Sequence, residues 1–488
     1  MYCNNKILVS KVEDKELAIL TNMANRHGLI TGASGSGKTI TLKVIAESFS
    51  DAGVPVFLAD VKGDLAGMCV KGSTNPKIEE RLASLKIDNF EFKDFPTHFW
   101  DIYGEYGHPI RTTISNVGAK LLARMLSLTE VQEGVLTIVF KIAEDNNWNL
   151  IDLKDLRLIL QYVGDNREKY TIQYGNVSTQ SIGAIQRSLL MLEEQGGDFF
   201  FGEPSLNIKD FIKFSPSDGR GYINILHAVK LFQHPDLYAN FLLWLLTELY
   251  NKMPEVGDLS KPKLVFFFDE AHLLFNEMPS DLLKQVIQVV KLIRSKGIGL
   301  YFISQNPKDI PDEVLAQLSN RVQHALRAYT PAEQKAVKAA AESFRVNPNI
   351  DTEQAIMSLG TGEALISFLN EDGEPTIVEQ GIILPPQSAM GIIDGSIRNQ
   401  IINNSLLKGK YDTKEDKESA FEKLTQTIDE EKQAALEAEE KKQKEKEEKQ
   451  ASKKKKKSKT EKAADKLTNS AMNTLGRKIG NSIFNFFK

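Results

Sequence analysis

Cysteine is nearly absent from this chain: Cys3 and Cys69 are the only two in 488 residues. Two thiols make neither a disulfide framework nor a cysteine-rich metal cluster, and their scarcity fits a reducing compartment. Long apolar runs are missing as well. The stretch FLLWLL stops at Thr247 and Glu248, far short of the ~20 residues that cross a bilayer. The N-terminal MYCNNKILVSKVED lacks the apolar core of a signal peptide. The expectation is a cytoplasmic protein with no transmembrane segment. The chain also lacks a strong charge of one sign. Its formal net charge is −4, a small sum over acidic and basic blocks segregated near the C-terminus. Net charge therefore neither supports nor excludes a polyanionic partner. A basic domain or an aromatic–basic cluster is missing outside the lysine run at 453–457, and a solvated charge run explains that block equally well. What the length does allow is two or three domains and a large core.

What is present is an eight-residue loop, Gly32-Ala33-Ser34-Gly35-Ser36-Gly37-Lys38-Thr39, which fits G-x-x-x-x-G-K-[ST]. It follows the apolar Leu29, Ile30 and Thr31 and precedes an amphipathic segment with Ile40, Leu42, Val44, Ile45 and Phe49. Strand, loop and helix in that order are the context the pattern needs. Glycines let the backbone curl so that successive N–H groups face an anion, and the helix N-terminus adds its dipole there. Lys38 is placed to reach the β- and γ-phosphates of a nucleotide, and the Thr39 hydroxyl to ligate Mg²⁺. ATP and Mg²⁺ are the expected ligands.

The rest of the chain is organised around that loop as an α/β core with a mainly parallel sheet. Residues 1–74 form its first part, including the buried strand Val54 to Ala59 ending at Asp60. Ahead of the loop, residues 1–26 read as a short strand at Ile7 to Val9 and a helical turn or two. From 75 to 220 helical periodicity dominates, with a capping-box pattern at Thr129 to Gln132, and a mostly helical insertion is expected there. Short strands near Phe90 to Trp100 fit within it. Residues 221–404 resume the core, with strands at Leu264 to Phe268, Ile298 to Ile303 and Val322 to Leu326. A hairpin around Glu371-Asp372-Gly373 closes it. Residues 405–463 read as a charged linker, helical or disordered, and residues 464–488 as an amphipathic helix. In that last segment Leu467, Ala471, Leu475, Ile479, Ile483 and Phe487 form one stripe, which fits a plain fraying amphipathic end as well as a helix docking on a partner or a membrane surface.

Chemistry gathers where strands end. Asp269-Glu270 follows an unbroken apolar strand, as a Walker B pair does, with Asp269 on the Mg²⁺ shell and Glu270 placed to activate a water. Gln305 ends the next strand at the carboxyl edge, where a neutral amide can bond both that water and the γ-phosphate. Asp60-Val61-Lys62-Gly63-Asp64 follows the second strand. Turn chemistry alone explains its Gly and Asp, and Lys62 is a candidate contact for nucleic acid or a neighbouring subunit.

GASGSGKT, LADVKGDLAGM, LVFFFDEAHLLF and KLIRSKGIGLYFISQNPKDIPDEVLAQLSNRVQHALRAYTP, in this order, resemble the bacterial HerA-like ATPases of the FtsK/HerA superfamily. The likeness runs from about residue 20 to 385 and includes FWDIYGEYGHPIRTT and SIGAIQRSLLMLEEQGGDFFFGEP. It implies a RecA-like core, Mg²⁺-dependent ATP hydrolysis, a homo-hexameric ring and translocation or unwinding of double-stranded DNA. Lys38 and Thr39 match the Walker A residues, Asp269 and Glu270 the Walker B pair, and Gln305 the sensor-like Gln. The residues ahead of the loop leave no room for the β-barrel of the better understood HerA helicases. The other expectation is an ATPase acting on protein, or at a membrane surface, through its C-terminal tail. Ring ATPases often borrow an arginine from the neighbouring subunit. Of Arg294, Arg321 and Arg327, position relative to the strand Val322 to Leu326 selects Arg321 to act in trans and Arg327 in cis.

Overall fold

The computed structural model describes residues 1–456 apart from 277 and 279. The expected amphipathic helix at 464–488 lies outside the described residues. Thirteen strands make one sheet: β1 (Tyr2–Cys3), β2 (Lys6–Val12), β3 (Lys15–Leu20), β4 (Gly28–Thr31), β5 (Val56–Asp60), β6 (Thr97–Asp101), β7 (His108–Pro109), β8 (Ile223–His227), β9 (Leu264–Phe268), β10 (Ile298–Ser304), β11 (Asn320–Gln323), β12 (Glu363–Ser367) and β13 (Glu379–Ile383). The order is β1-β2-β13-β12-β11-β4-β10-β9-β5-β8-β6-β7, with β3 on the free side of β2. Every pairing from β11 through β7 is parallel. The remaining strands extend the sheet antiparallel at the β11 side.

All residues of β5, β9 and β10 are buried, so both faces of the sheet are covered there. That is why these strands are unbroken apolar runs rather than alternating ones. Aromatic rings tie neighbouring strands together, with Phe57 stacked on Phe266 at 4.4 Å and Phe268 on Phe302 at 5.1 Å. Helix Lys38–Asp51 follows β4 and carries the buried Leu42, Val44, Ile45 and Phe49 onto the sheet.

Five helices fill residues 114–194: Ile114–Met125, Glu130–Asp145, Leu153–Asp165, Arg167–Tyr174 and Thr179–Glu194. The capping pattern at Thr129 is used, with its N–H bonded to Gln132 Oε1 at 3.0 Å. The segment 75–220 is not wholly an insertion, however. β6 and β7 belong to the central sheet, β6 pairing with β8 in parallel. The C-terminal limit also differs from the expected 404. A compact unit runs from Met1 to Lys423, and a second begins at Leu424. Leu407, Tyr411 and Ala420 are fully buried, and the Tyr411 hydroxyl bonds the Asp210 carboxylate and accepts from Asn207 N–H. Charged neighbours hide these three anchors from a composition-based reading. The helix Ala420–Lys456, rich in Glu, Lys and Gln, provides the described residues of the second unit.

His27, just before β4, is buried with both ring nitrogens engaged. Leu300 N–H donates to Nδ1 at 3.0 Å, so Nε2 carries the proton and donates to Val290 O at 2.9 Å. Burial lowers this imidazole to about 4 from its ordinary 6.5. Between those values the unfolded chain binds the extra proton, so stability falls as pH drops through that window and levels off below it. At pH 5 the loss from one such imidazole is roughly 2 kcal/mol. The unfolding midpoint is expected to fall from pH 7 to pH 5, and His27→Gln, weaker at pH 7, to lose less over the same interval. Equal losses in both proteins would contradict this role for His27.

Candidate nucleotide site

The loop 32–39 leaves β4 and runs into helix Lys38–Asp51. Gly35 and Gly37 have φ of +76° and +119°, which a side chain rarely tolerates. At Gly32 a Cβ would meet His324 Cβ at 2.5 Å, so the loop lies directly on the residue after β11. The cradle is fixed by Ala33 N–H to Ala325 O at 2.8 Å and Ser36 Oγ to Ala33 O at 2.7 Å. Lys38 Nζ folds back over the loop, donating to Gly32 O at 2.6 Å and Ala33 O at 3.1 Å. Burial lowers its ammonium below the usual lysine value, and the charges of Glu270 and Asp269 oppose that shift.

Asp269 and Glu270 arrive from β9, two places along the sheet from β4 with β10 between them. Ser34, Gly35, Gly37, Lys38, Thr39, Lys62, Asp269, Glu270 and Thr361 share one cavity of about 260 Å³. Protein packed around the Asp269 carboxyl, and behind that the Glu270 charge, push it up to about 7. Asp269 Oδ1 accepts from Glu270 N–H at 2.9 Å, and Asp269 O accepts from the buried Tyr238 hydroxyl at 3.0 Å. Glu270 has φ +48°, a left-handed conformation that a β-strand does not continue through. The turn aims its carboxylate along the cavity, with Oε2 3.5 Å from His272 Nδ1. A hydroxyl, Thr39, and a carboxylate, Asp269, form an oxygen donor set that fits Mg²⁺ keeping most of its waters. A carboxyl held at about 7 without a cation is also one that a divalent ion would ionise.

The other sequence candidates fall outside that cavity. Gln305 is exposed at the end of β10, on the same sheet edge. Arg321 lies inside β11, not ahead of it, because the strand starts at Asn320. Its guanidinium donates to Leu318 O, Ser343 O and Leu315 O, and it lines a separate cavity at the amino edge with Arg345. Arg327 donates to Met357 O at 2.5 Å and Leu359 O at 3.4 Å, just ahead of residues 360–362.

Three participants were not legible as such. His324 is buried beneath the loop, Nε2 2.8 Å from Thr41 Oγ1 and Nδ1 2.9 Å from Glu363 O. Thr361 reaches the cavity because Gly362 N–H bonds Ser36 O at 2.9 Å. Arg81 holds that segment by donating to the carbonyls of Thr361, Gly362 and Ile383. Only Gly360-Thr361-Gly362, a turn signal, hinted at any of this.

A phosphate loop after β4 and an acidic pair after β9, at the carboxyl edge of a mainly parallel sheet, define a RecA-type P-loop NTPase core. The plasmid coupling protein TrwB, in complex with the non-hydrolysable GTP analogue GDPNP, shares the fold at TM-score 0.53 and 12% identity, over 81% of this chain and 92% of that one. Within that class the chain belongs to the helicase HerA-like C-terminal family, which matches residues 5–486. It is 25% identical over 362 residues to a DNA double-strand break repair helicase HerA of Sulfurisphaera tokodaii, covering 72% of this chain and 64% of that protein. The chain thus spans less than two thirds of that relative. A probable helicase, MJ1565, of Methanocaldococcus jannaschii is 34% identical over 149 residues, 30% of this chain and 28% of its own. No helix among the described residues is long and apolar enough to cross a membrane.

Proposed function

We propose that this protein hydrolyses ATP with Mg²⁺ and couples the cycle to movement along double-stranded DNA, working as a homo-hexameric ring. The observation that carries this reading is the meeting of Lys38, Thr39, Asp269 and Glu270 in one cavity. The loop N–H groups and Lys38 bind the phosphates. Thr39 and Asp269 would hold Mg²⁺, which when bound supplies charge neutralisation between the β- and γ-phosphates. Glu270 orients the attacking water and accepts its proton. Gln305, one strand from both loops, senses the terminal phosphate from the sheet edge. Arg327 acts in cis by setting residues 360–362 against the loop, and Arg321, at the amino edge, serves a neighbouring subunit's site in trans. Duplex DNA as the track is supported by kinship with HerA helicases, not by this chain's charge of −4.

ATPase rate measured with and without duplex DNA at two salt concentrations tests the proposal. A DNA motor is expected to be stimulated several-fold, and the stimulation to weaken as salt rises. Turnover indifferent to DNA at both concentrations would remove the DNA track and point to a protein substrate or a membrane surface instead.

A further inference from the structure

We propose that Lys62 is a second phosphate-binding cation of the nucleotide site, contributed in cis, and that it makes the site prefer a nucleoside triphosphate to the diphosphate. The inference rests on the nucleotide reading above. Lys62 stands in the loop after β5, the strand beside β9, and lines the same cavity as Lys38, Asp269 and Glu270. That loop is rigidly built. The Asp60 carboxylate accepts from Gly63 N–H at 2.7 Å and Leu65 N–H at 3.1 Å, spanning the turn on which Lys62 sits. Gly63 takes φ +79°, and Val61 and Leu65 on either side are buried. The turn presents Lys62 and Leu65 to the cavity, and Lys62 is the charged one.

The two lysines differ in what they already touch. Lys38 is hydrogen-bonded to two carbonyls of its own loop, where it meets phosphates cradled by that loop. Lys62 has no hydrogen bond or ion pair among the described residues, and the residue is exposed. The cavity thus holds two carboxylates, Asp269 and Glu270, and two ammonium groups, of which Lys62 alone makes no hydrogen bond among the described residues.

A diphosphate ends within reach of the loop N–H groups and Lys38. A third phosphate must extend toward Glu270, since that is where its water is activated, and there it meets two negative side chains. Lys38 and bound Mg²⁺ offset part of that repulsion, and because both also serve the β-phosphate, a cation that acts on the terminal phosphate alone adds selectivity. Lys62 supplies the charge, so its contribution falls mainly on the terminal phosphate.

Calorimetric titration of the full chain with ATPγS and with ADP, both with Mg²⁺, tests this on affinity alone. In Lys62→Ala, ATPγS affinity is expected to drop about tenfold or more while ADP affinity stays within about threefold. Lys62→Arg should recover most of the ATPγS affinity. Parallel losses for both nucleotides would make Lys62 a structural residue of the turn, and unchanged affinities would remove it from the site. Either result overturns the inference while leaving the nucleotide reading intact. A parent protein that bound neither nucleotide would instead overturn the nucleotide reading, and this inference with it.

Discussion

Lys38→Ala is expected to lose nucleotide binding, with turnover down on the order of a thousandfold or more. The loop N–H groups remain in that variant, but the ammonium that folds over Gly32 O and Ala33 O is gone. The helix should persist, because Leu42, Val44 and Ile45, not Lys38, bury it against the sheet. Circular dichroism and nucleotide titration together separate a lost site from a lost fold. A folded Lys38→Ala protein that still bound ATP normally would sink the assignment. The same variant reports on Arg321. Mixed with Arg321→Ala protein, it should regain part of the activity, since some mixed interfaces carry both intact residues. No recovery in rings shown to exchange subunits would count against a trans role. Full activity of Arg321→Ala alone would leave the guanidinium with only its three carbonyl contacts to explain it.

Glu270→Gln should separate binding from chemistry. The amide keeps the size and the left-handed turn but cannot accept a proton from water, so hydrolysis is expected to fall by about 10²–10⁴ while ATP stays bound. Trapped nucleotide after gel filtration would show this directly. Parental turnover would mean that Glu270 is not the base, and Asp269, already engaged by the Glu270 N–H, would need a different partner. Asp269→Asn gives a useful contrast, since it removes a metal ligand and should weaken the Mg²⁺ dependence itself.

Much of the site could be read from order alone. The phosphate loop and the acidic pair each sit at the end of an apolar strand, and parallel topology places all such ends on one edge. What order could not supply was anything made by two distant segments. Arg81, on a helix some 280 residues earlier in the chain, meets Thr361 and Gly362 only in the folded protein, and His324 meets Thr41 only because β11 pairs with β4. The β2–β3 hairpin was half visible, because the charged Lys15 and Glu16 open β3 and mask its apolar half. The start of β11 was misplaced by two residues. Asn320 looks like a turn residue, yet its buried side chain bonds Met23 O and His27 O and belongs to the strand. Residues 405–423 failed for the opposite reason, with three buried anchors among many charges.

The position of β4 has a consequence for how the chain is made. Its partners in the sheet are β10 on one side and β11 on the other, and both are parallel to it. About 270 residues separate Thr31 from Ile298, so at ~5–20 residues per second a ribosome needs tens of seconds to deliver the first partner. Over that interval the strand carrying the phosphate loop has no edge to pair with. Gly28, Leu29 and Ile30, all buried in the finished sheet, stay available to any other extended chain. β2 pairs early with β3, but its other edge waits longer still, for β13. The candidate nucleotide site is therefore a late product of synthesis, and a bound nucleotide could stabilise the fold only after nearly the whole core has left the ribosome.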